Sequence, residues 1–288
     1  MKIKDLFIKD KPLFSLEIFP PKKTSPIETI YSTLDELVKV RPAFISVTYG
    51  AGGNGTDNRT AEIASIVKHK YGVESVAHLS CLYNSYADVD VTLKRLKEND
   101  VDNILALRGD VVPDVPKLND FQYASDLVSY IAKSDIGDFD ICGACYPEGH
   151  VEAQTLEKDV ENLKIKVDAG ATHLISQLFF DNNYYYNFLD MAAKKGVCVP
   201  IEAGIMPVTN KKQIERMVTL CGASLPPKFV KMMQKYGDNP DAIAESGIAY
   251  AVDQIVDLLS YNVDGIHLYA MNNPYVVKKI YSAIEKLL

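Results

Sequence analysis

The feature that most constrains this chain is an alternation. Eight short apolar segments are separated by stretches with helical spacing. The segments run roughly Leu13–Phe19, Phe44–Tyr49, Val73–Leu79, Asn103–Leu107, Phe139–Tyr146, His173–Phe179, Val199–Ile205 and Gly265–Tyr269. Their wealth of β-branched and other apolar residues predicts buried strands. Between them, stripes such as Ile30, Leu34, Leu37 and Val38, or Val160, Leu163 and Val167, predict helices. Strict alternation predicts a parallel sheet, because parallel neighbours need crossover helices. Eight units favour a closed α/β barrel, the (β/α)8 TIM barrel, over an open doubly wound sheet. After the seventh strand the chain runs longer, and extra helices are predicted before the eighth, near Pro226–Pro227 and Asp241–Ser260.

The chain has 288 residues, which suits one barrel with insertions, and no linker or low-complexity tract divides it. One domain over 1–288 is therefore expected. A net charge of −7 without a basic run argues against nucleic acid or an anionic membrane as partner. No stretch approaches the ~20 apolar residues of a membrane span, and Met1–Leu13 lacks a signal-peptide core. Five cysteines in a chain this long do not make a disulfide framework, which predicts a reducing cytoplasm.

Barrels work at the C-terminal ends of their strands. Glu17 interrupts the apolar run of the first strand, just before Pro20 and Pro21. Desolvation there predicts a raised pKa and a general acid; a buried glutamate paired with Arg or Lys is the structural alternative, and the strand alone leaves the two level. The other ends offer Thr48 and Tyr49, His78, Arg108-Gly109-Asp110, Tyr146 to His150, Gln177, Glu202, and His267 with Tyr269. A lone His or Tyr at such a place is usually a hydrogen-bonded structural residue, but this many on one mouth point to a site. Absences narrow its chemistry. The eight strands hold no lysine for a Schiff base, and no His-Glu-x-x-His or Gly-x-Ser-x-Gly occurs.

Two motifs carry less than they promise. Gly50-Ala51-Gly52-Gly53-Asn54-Gly55 matches a dinucleotide fingerprint, but it sits on the second strand and its helix begins late, so a glycine loop over the mouth is expected instead. Cys142 and Cys145 match Cys-x-x-Cys, but on a strand positions three apart face opposite sides, which predicts two separately packed thiols.

Eight segments together resemble one family, the methylenetetrahydrofolate reductases. They are Glu17-Ile18-Phe19-Pro20-Pro21, Ser46-Val47-Thr48-Tyr49-Gly50-Ala51, Ala77-His78-Leu79, Leu107-Arg108-Gly109-Asp110, Tyr123 to Val128, Tyr146-Pro147-Glu148-Gly149-His150, Lys166 to Ala171 and Gln177-Leu178-Phe179-Phe180-Asp181. The resemblance runs from the first strand to the last helix, and its length suits the bacterial type, without the regulatory domain of eukaryotic forms. It implies an FAD-containing barrel that reduces 5,10-methylenetetrahydrofolate to 5-methyltetrahydrofolate in one-carbon metabolism and methionine biosynthesis. Glu17 is implied as the acid and Asp110 as the anion beside flavin and pterin. Thr48 would position the nicotinamide. The flavin would be held by Tyr49, Ala51, His78, Arg108, Gly109, Asp110, Ala124, Tyr146, His150, Ala153, Asp159, Asn162 and Lys166. On pattern alone, Asp159, Asn162 and Lys166 would read as a solvated helix face.

Gln177, Gln213, Met217 and Asn273 are implied folate contacts. Ile165 and Asn273 stand where the family pattern has arginines, and Met217 where it has a hydrophobe that shapes substrate stacking. NADH, NADPH or a ferredoxin-linked partner subunit is the implied electron donor, and a homo-oligomer is the implied assembly. A flavin-free pterin-binding methyltransferase barrel, or a reductase subunit dependent on its partner, are the alternatives.

Overall fold

The computed structural model describes residues 1–22, 24–49 and 59–288. Among them, eight parallel strands close into a barrel in sequence order. They are β1 (Leu13–Ile18), β2 (Phe44–Val47), β3 (Glu74–Ser80), β4 (Asn103–Leu107), β5 (Asp140–Cys145), β6 (His173–Ser176), β7 (Ile201–Ile205) and β8 (Gly265–Tyr269). β8 returns to β1, with Ser15 opposite His267 and Glu17 opposite Tyr269. The expected α/β TIM barrel is thus the observed fold, with strand ends displaced by no more than a few residues.

Helices α1 (Tyr31–Leu37), α2 (Arg59–Tyr71), α3 (Tyr86–Glu98), α4 (Ala124–Ala132), α5 (Leu156–Asp168) and α6 (Asn182–Lys194) follow the first six strands in turn. α7 (Lys211–Cys221), α8 (Pro227–Tyr236) and α9 (Pro240–Ser260) lie between β7 and β8, and α10 (Pro274–Ile284) ends the fold. The two extra helices before β8 are therefore present, each with proline in its first turn, where no amide hydrogen is needed. None of the described helices is long and apolar enough to cross a membrane.

Alternate strand residues separate two cores. Phe14, Leu16 and Ile18 of β1 join the large cluster shared with the helices. Phe44, Val76, Leu105, Cys142 and Ile175 fill the lower barrel interior with Ile3 from the N-terminal segment. Cys142 and Cys145 accordingly fall in different clusters, both buried and unbridged. The N-terminal segment plugs the barrel floor. The Ile3 amide donates to Asn103 Oδ1 at 3.0 Å, the Lys4 amide to Asp140 Oδ2 at 2.8 Å, and Asn103 Nδ2 returns a bond to the Met1 carbonyl at 3.1 Å. With the floor closed, the opposite end is the open one.

Candidate active site

β1 directs Ser15 and Glu17 inward, toward groups from strands far away in sequence. Glu17 Oε2 lies 3.5 Å from His78 Nε2 of β3 and 3.7 Å from His267 Nε2 of β8, and its side chain remains 20% exposed. Burial works to raise the Glu17 carboxyl, but the approach of His267 and the charges of His78 and His267 outweigh it, so it sits below its ordinary 4.5. The expectation of a raised pKa is corrected. Its neighbours in sequence supplied only desolvation, whereas the barrel adds two imidazoles and, among the described residues, neither an Arg nor a Lys partner. Burial in turn holds the His78 imidazole down to about 4, against the raising pull of Glu17.

Beneath Glu17 runs a buried polar chain. Ser15 Oγ donates to Glu202 Oε1 at 2.6 Å and lies 2.7 Å from His267 Nδ1, while His267 Nε2 lies 3.4 Å from Ser46 Oγ. Tyr269, edge-on to His267, donates to the Ser176 carbonyl at 2.7 Å. No side chain would fit at Gly204, where a Cβ would stand 2.1 Å from the Ser176 carbonyl oxygen. The Tyr269 phenol is raised first by burial and then by the Glu17 charge, and it also interacts with Tyr146, so it links the mouth to the cavity described next.

That cavity, of about 390 Å³, opens along β4 and β5 toward α4 and α5. Arg108, Ala124, Tyr146, His150, Ala153, Asp159, Asn162 and Lys166 all line it. The local fold places them. The His150 amide donates to Asp159 Oδ2 at 3.1 Å, joining the β5 loop to α5, and Lys166 Nζ donates to the Ala144 carbonyl at 2.6 Å. The His150 ring meets Tyr146 edge-on, with centroids 4.8 Å apart. Burial raises Asp159 and lowers Lys166 and His150, so charge on this wall is held at a cost that a bound partner would relieve. Arg108 meets Glu152 through two hydrogen bonds, at 2.6 and 2.8 Å. That bond, more than the burial opposing it, raises the guanidinium, and it draws Glu152 down to about 2. Gly109 has φ +91°, and a Cβ there would stand 3.2 Å from Ser80 Cβ, so this turn beside the cavity wants glycine.

A sequence model described as methylenetetrahydrofolate reductase matches residues 2–285. The chain belongs to the methylenetetrahydrofolate reductase family. It is 36% identical over 258 residues to the 5,10-methylenetetrahydrofolate reductase of Pectobacterium carotovorum, covering 90% of this chain and 85% of that one. The Escherichia coli enzyme of the same name is 35% identical, at 90% and 86% coverage. The Arabidopsis thaliana methylenetetrahydrofolate reductase (NADH) 1 is 35% identical over 94% of this chain but 48% of its own length. A Clostridium thermocellum protein described as binding two copies of 5-methyl-5,6,7,8-tetrahydrofolic acid superposes with a TM-score of 0.67, covering 96% and 95% of the two chains. At 14% identity, that likeness speaks to the fold alone. The chain is an oxidoreductase of the methylenetetrahydrofolate reductase kind.

The remaining residues singled out in this reductase are placed unevenly. Asp110 is exposed on the loop after β4, and its charge reaches Cys221 of α7, adding to the burial that raises that thiol to about 11. Thr48 follows β2, its amide bonded to the Ile18 carbonyl at 3.0 Å and its own carbonyl to the Thr60 hydroxyl at 3.0 Å. Tyr49 packs half-buried against the large core. Gln177 follows β6, with Oε1 taking the Leu178 amide at 2.8 Å. Met217 packs against the apolar cluster of Leu178, Phe180 and Ile214. Ala51 and the glycine loop lie outside the described residues, as does the Gln213 side chain. Ile165 is exposed on α5. Asn273 is the N-cap of α10, its Oδ1 accepting from the Val276 amide at 3.3 Å.

Ser15 and Glu152 stand outside every motif of the sequence, and Ser46 enters only as the start of Ser46 to Ala51, with no role of its own. Ser15 alone carried a signal, because it precedes Glu17 by the strand period of two.

Proposed function

We propose that this reductase, acting as one catalytic unit over 1–288, reduces 5,10-methylenetetrahydrofolate to 5-methyltetrahydrofolate with FAD. Electrons would come from NADH, NADPH or a ferredoxin-linked partner, and the setting would be cytoplasmic one-carbon metabolism that feeds methionine biosynthesis. A homo-oligomer is part of the same proposal.

The observation that carries it is a division of labour at the barrel mouth. One side holds a carboxyl between two imidazoles, and the other a polar cavity with cationic donors. The cavity suits FAD. Arg108, Lys166 and His150 are donors for a diphosphate, Asn162 and Asp159 can meet hydroxyls, Ala124 and Ala153 leave room for a flat ring, and Tyr146 adds an aromatic face. An incoming phosphate would compete with Glu152 for Arg108, exchanging one charged acceptor for another. When bound, FAD would accept hydride from the donor and pass it to the folate methylene carbon.

The chain's own task is to deliver protons and exclude water. Glu17 would give a proton to the folate nitrogen released as the imidazolidine ring opens, making that amine a leaving group. His78 and His267 keep the carboxyl aimed into the mouth. Gln177, Gln213 and Met217 would orient the pterin, Thr48 the nicotinamide, and the Asp110 carboxylate would favour the cationic ring-opened folate.

Glu17→Gln tests this reading. It keeps the shape and removes the transferable proton. FAD content and bleaching by the donor should stay normal, while folate reduction falls by about 10² to 10⁴. Stopped-flow traces that show normal folate reoxidation of the bleached variant would remove Glu17 from the role.

A further inference from the structure

We infer that Glu202 is a proton store and positioning residue for Glu17, connected to it inside the barrel through Ser15 and His267. This rests on the proposed role of Glu17. A general acid must hold a proton near neutral pH, yet the histidines keep the Glu17 carboxyl low. The second carboxyl answers that difficulty. Glu202 is fully buried on β7; one oxygen takes the Ser15 hydroxyl at 2.6 Å and the other has no hydrogen-bond partner among the described residues. A buried carboxylate in that position is costly, and a carboxylic acid is not. The site is also built for it, since a Cβ on Gly265 would stand 2.9 Å from Glu202 Cγ.

The groups facing Glu202 agree. Burial pushes it up to about 7, against the lowering effects of His267 and the Ser15 bond, and Asp264 adds to the rise. Cys142 of β5 and Tyr185 of α6 interact with it, and burial raises both of these well above their ordinary values, which keeps them uncharged. Burial pushes His173 of β6 down to about 4, and the charge of His267 adds to the fall.

The connection has a definite logic. With Glu202 protonated, its O–H faces Ser15, the Ser15 hydroxyl donates to His267 Nδ1 at 2.7 Å, and Nε2–H faces Ser46 Oγ at 3.4 Å and Glu17 at 3.7 Å. Three protons can then shift in one direction, from Glu202 to Ser15 Oγ, from Ser15 Oγ to Nδ1, and from Nε2 to Glu17. Each shift breaks one O–H or N–H bond and forms another. Glu202 ends as a carboxylate, Glu17 as an acid, and Ser15 and the imidazole regain their starting charge, with the tautomer exchanged. The 3.7 Å gap between Nε2 and Glu17 must close for the last shift, as catalytic hydrogen bonds commonly tighten on ligand binding. In the open mouth Glu17 takes a proton from solvent hydronium, which leaves as water, and the chain runs backward to load Glu202. In the filled mouth the stored proton is still available.

The test uses the FAD-loaded enzyme and Glu202→Gln, with Glu202→Leu as a second variant in case the amide misfolds. In infrared spectra the wild type should show a buried carboxylic-acid carbonyl band that titrates near pH 7 and is missing from both variants. Folate reduction by Glu202→Gln should fall about tenfold at neutral pH and lose the wild-type decline above about pH 7, while flavin bleaching by the donor is unchanged. A band absent from the wild type, or retained in Glu202→Gln, overturns the proposal. So does a wild-type pH profile in either variant. If Glu17→Gln keeps full folate turnover while the Glu202 band is present and titrates, the reading of Glu17 has failed and Glu202 remains a buried acid without that client.

Discussion

The floor and the mouth of this barrel both bury polar side chains, but they treat them differently. At the floor, Asn103 and Asp140 are satisfied by the N-terminal plug, by Thr172 and by the Ser75 carbonyl. His173 Nε2 beside the Phe7 ring, Glu74 Oε2 and Ser75 Oγ are the exceptions there, each without a hydrogen bond among the described residues. Toward the mouth, His78 Nε2 and one Glu202 oxygen are buried without hydrogen-bond partners among the described residues, and Glu17 approaches two imidazoles at distances longer than a hydrogen bond. Satisfied groups hold a fold together, whereas groups held short of satisfaction are poised to exchange protons or meet a ligand. The contrast separates barrel residues that matter for stability from those proposed to matter for chemistry.

The sharpest way to break that comparison is to damage the floor. Asp140 takes the Lys4 amide on one oxygen and the Thr172 hydroxyl on the other, both at 2.8 Å. Asp140→Ala removes a buried acceptor, strands two part-buried donors and should cost about 4 kcal/mol in urea unfolding, with the flavin affinity of the folded fraction unchanged. A loss confined to flavin binding, without loss of stability, would mean that floor and mouth are not separable.

A smaller effect sharpens the mouth. Glu202 is raised from 4.5 to about 7, so its contribution to stability is full below about pH 4.5 and lost as pH rises through about 7. His78, lowered from 6.5 to about 4, runs the other way: its contribution is present above about pH 6.5 and lost as pH falls toward 4. Each spans about 3 kcal/mol at about 1.4 kcal/mol per pKa unit. Between about pH 4.5 and 6.5 the two slopes should nearly cancel in the wild type. Glu202→Gln should uncover a stability that rises with pH there, and His78→Asn one that falls. Parallel stability–pH curves for the three proteins would deny both assignments.

The fold was legible because its signal is periodic. Apolar runs, helical stripes and the prolines at 226 and 227 report on local burial, and a barrel of consecutive parallel strands needs little else. The candidate site was half legible. Glu17 stood out as a charge within an apolar run, and eight of the residues named for the flavin line one cavity. What stayed hidden depends on contacts across the barrel. The lowered Glu17 carboxyl is set by His78 and His267, which are distant in sequence, and no feature of Leu16-Glu17-Ile18 reports them. Arg108 looked like an open phosphate donor because Glu152 lies on another loop. Ser15 and Ser46 are unremarkable in a strand, and only the barrel turns them toward one imidazole.

Asn273 gives the comparison its finest edge, since family resemblance and geometry assign it different work. The resemblance places it near the folate tail. The structure makes it the N-cap of α10, ahead of Pro274 in the first turn, an arrangement that Asn-Pro already encodes. If capping is its task, Asn273→Ala should cost about 1 kcal/mol of stability with no change in the folate KM, and Asn273→Asp should recover the loss by supplying the same acceptor. If the tail is its task, Asn273→Ala raises KM without moving stability, and Asn273→Asp, which sets a negative charge against the anionic glutamate tail, raises it further. The aspartate variant separates the two because it helps a helix N-terminus and repels a carboxylate. A folate KM that rises in Asn273→Asp would move this residue from the scaffold to the substrate side of the molecule.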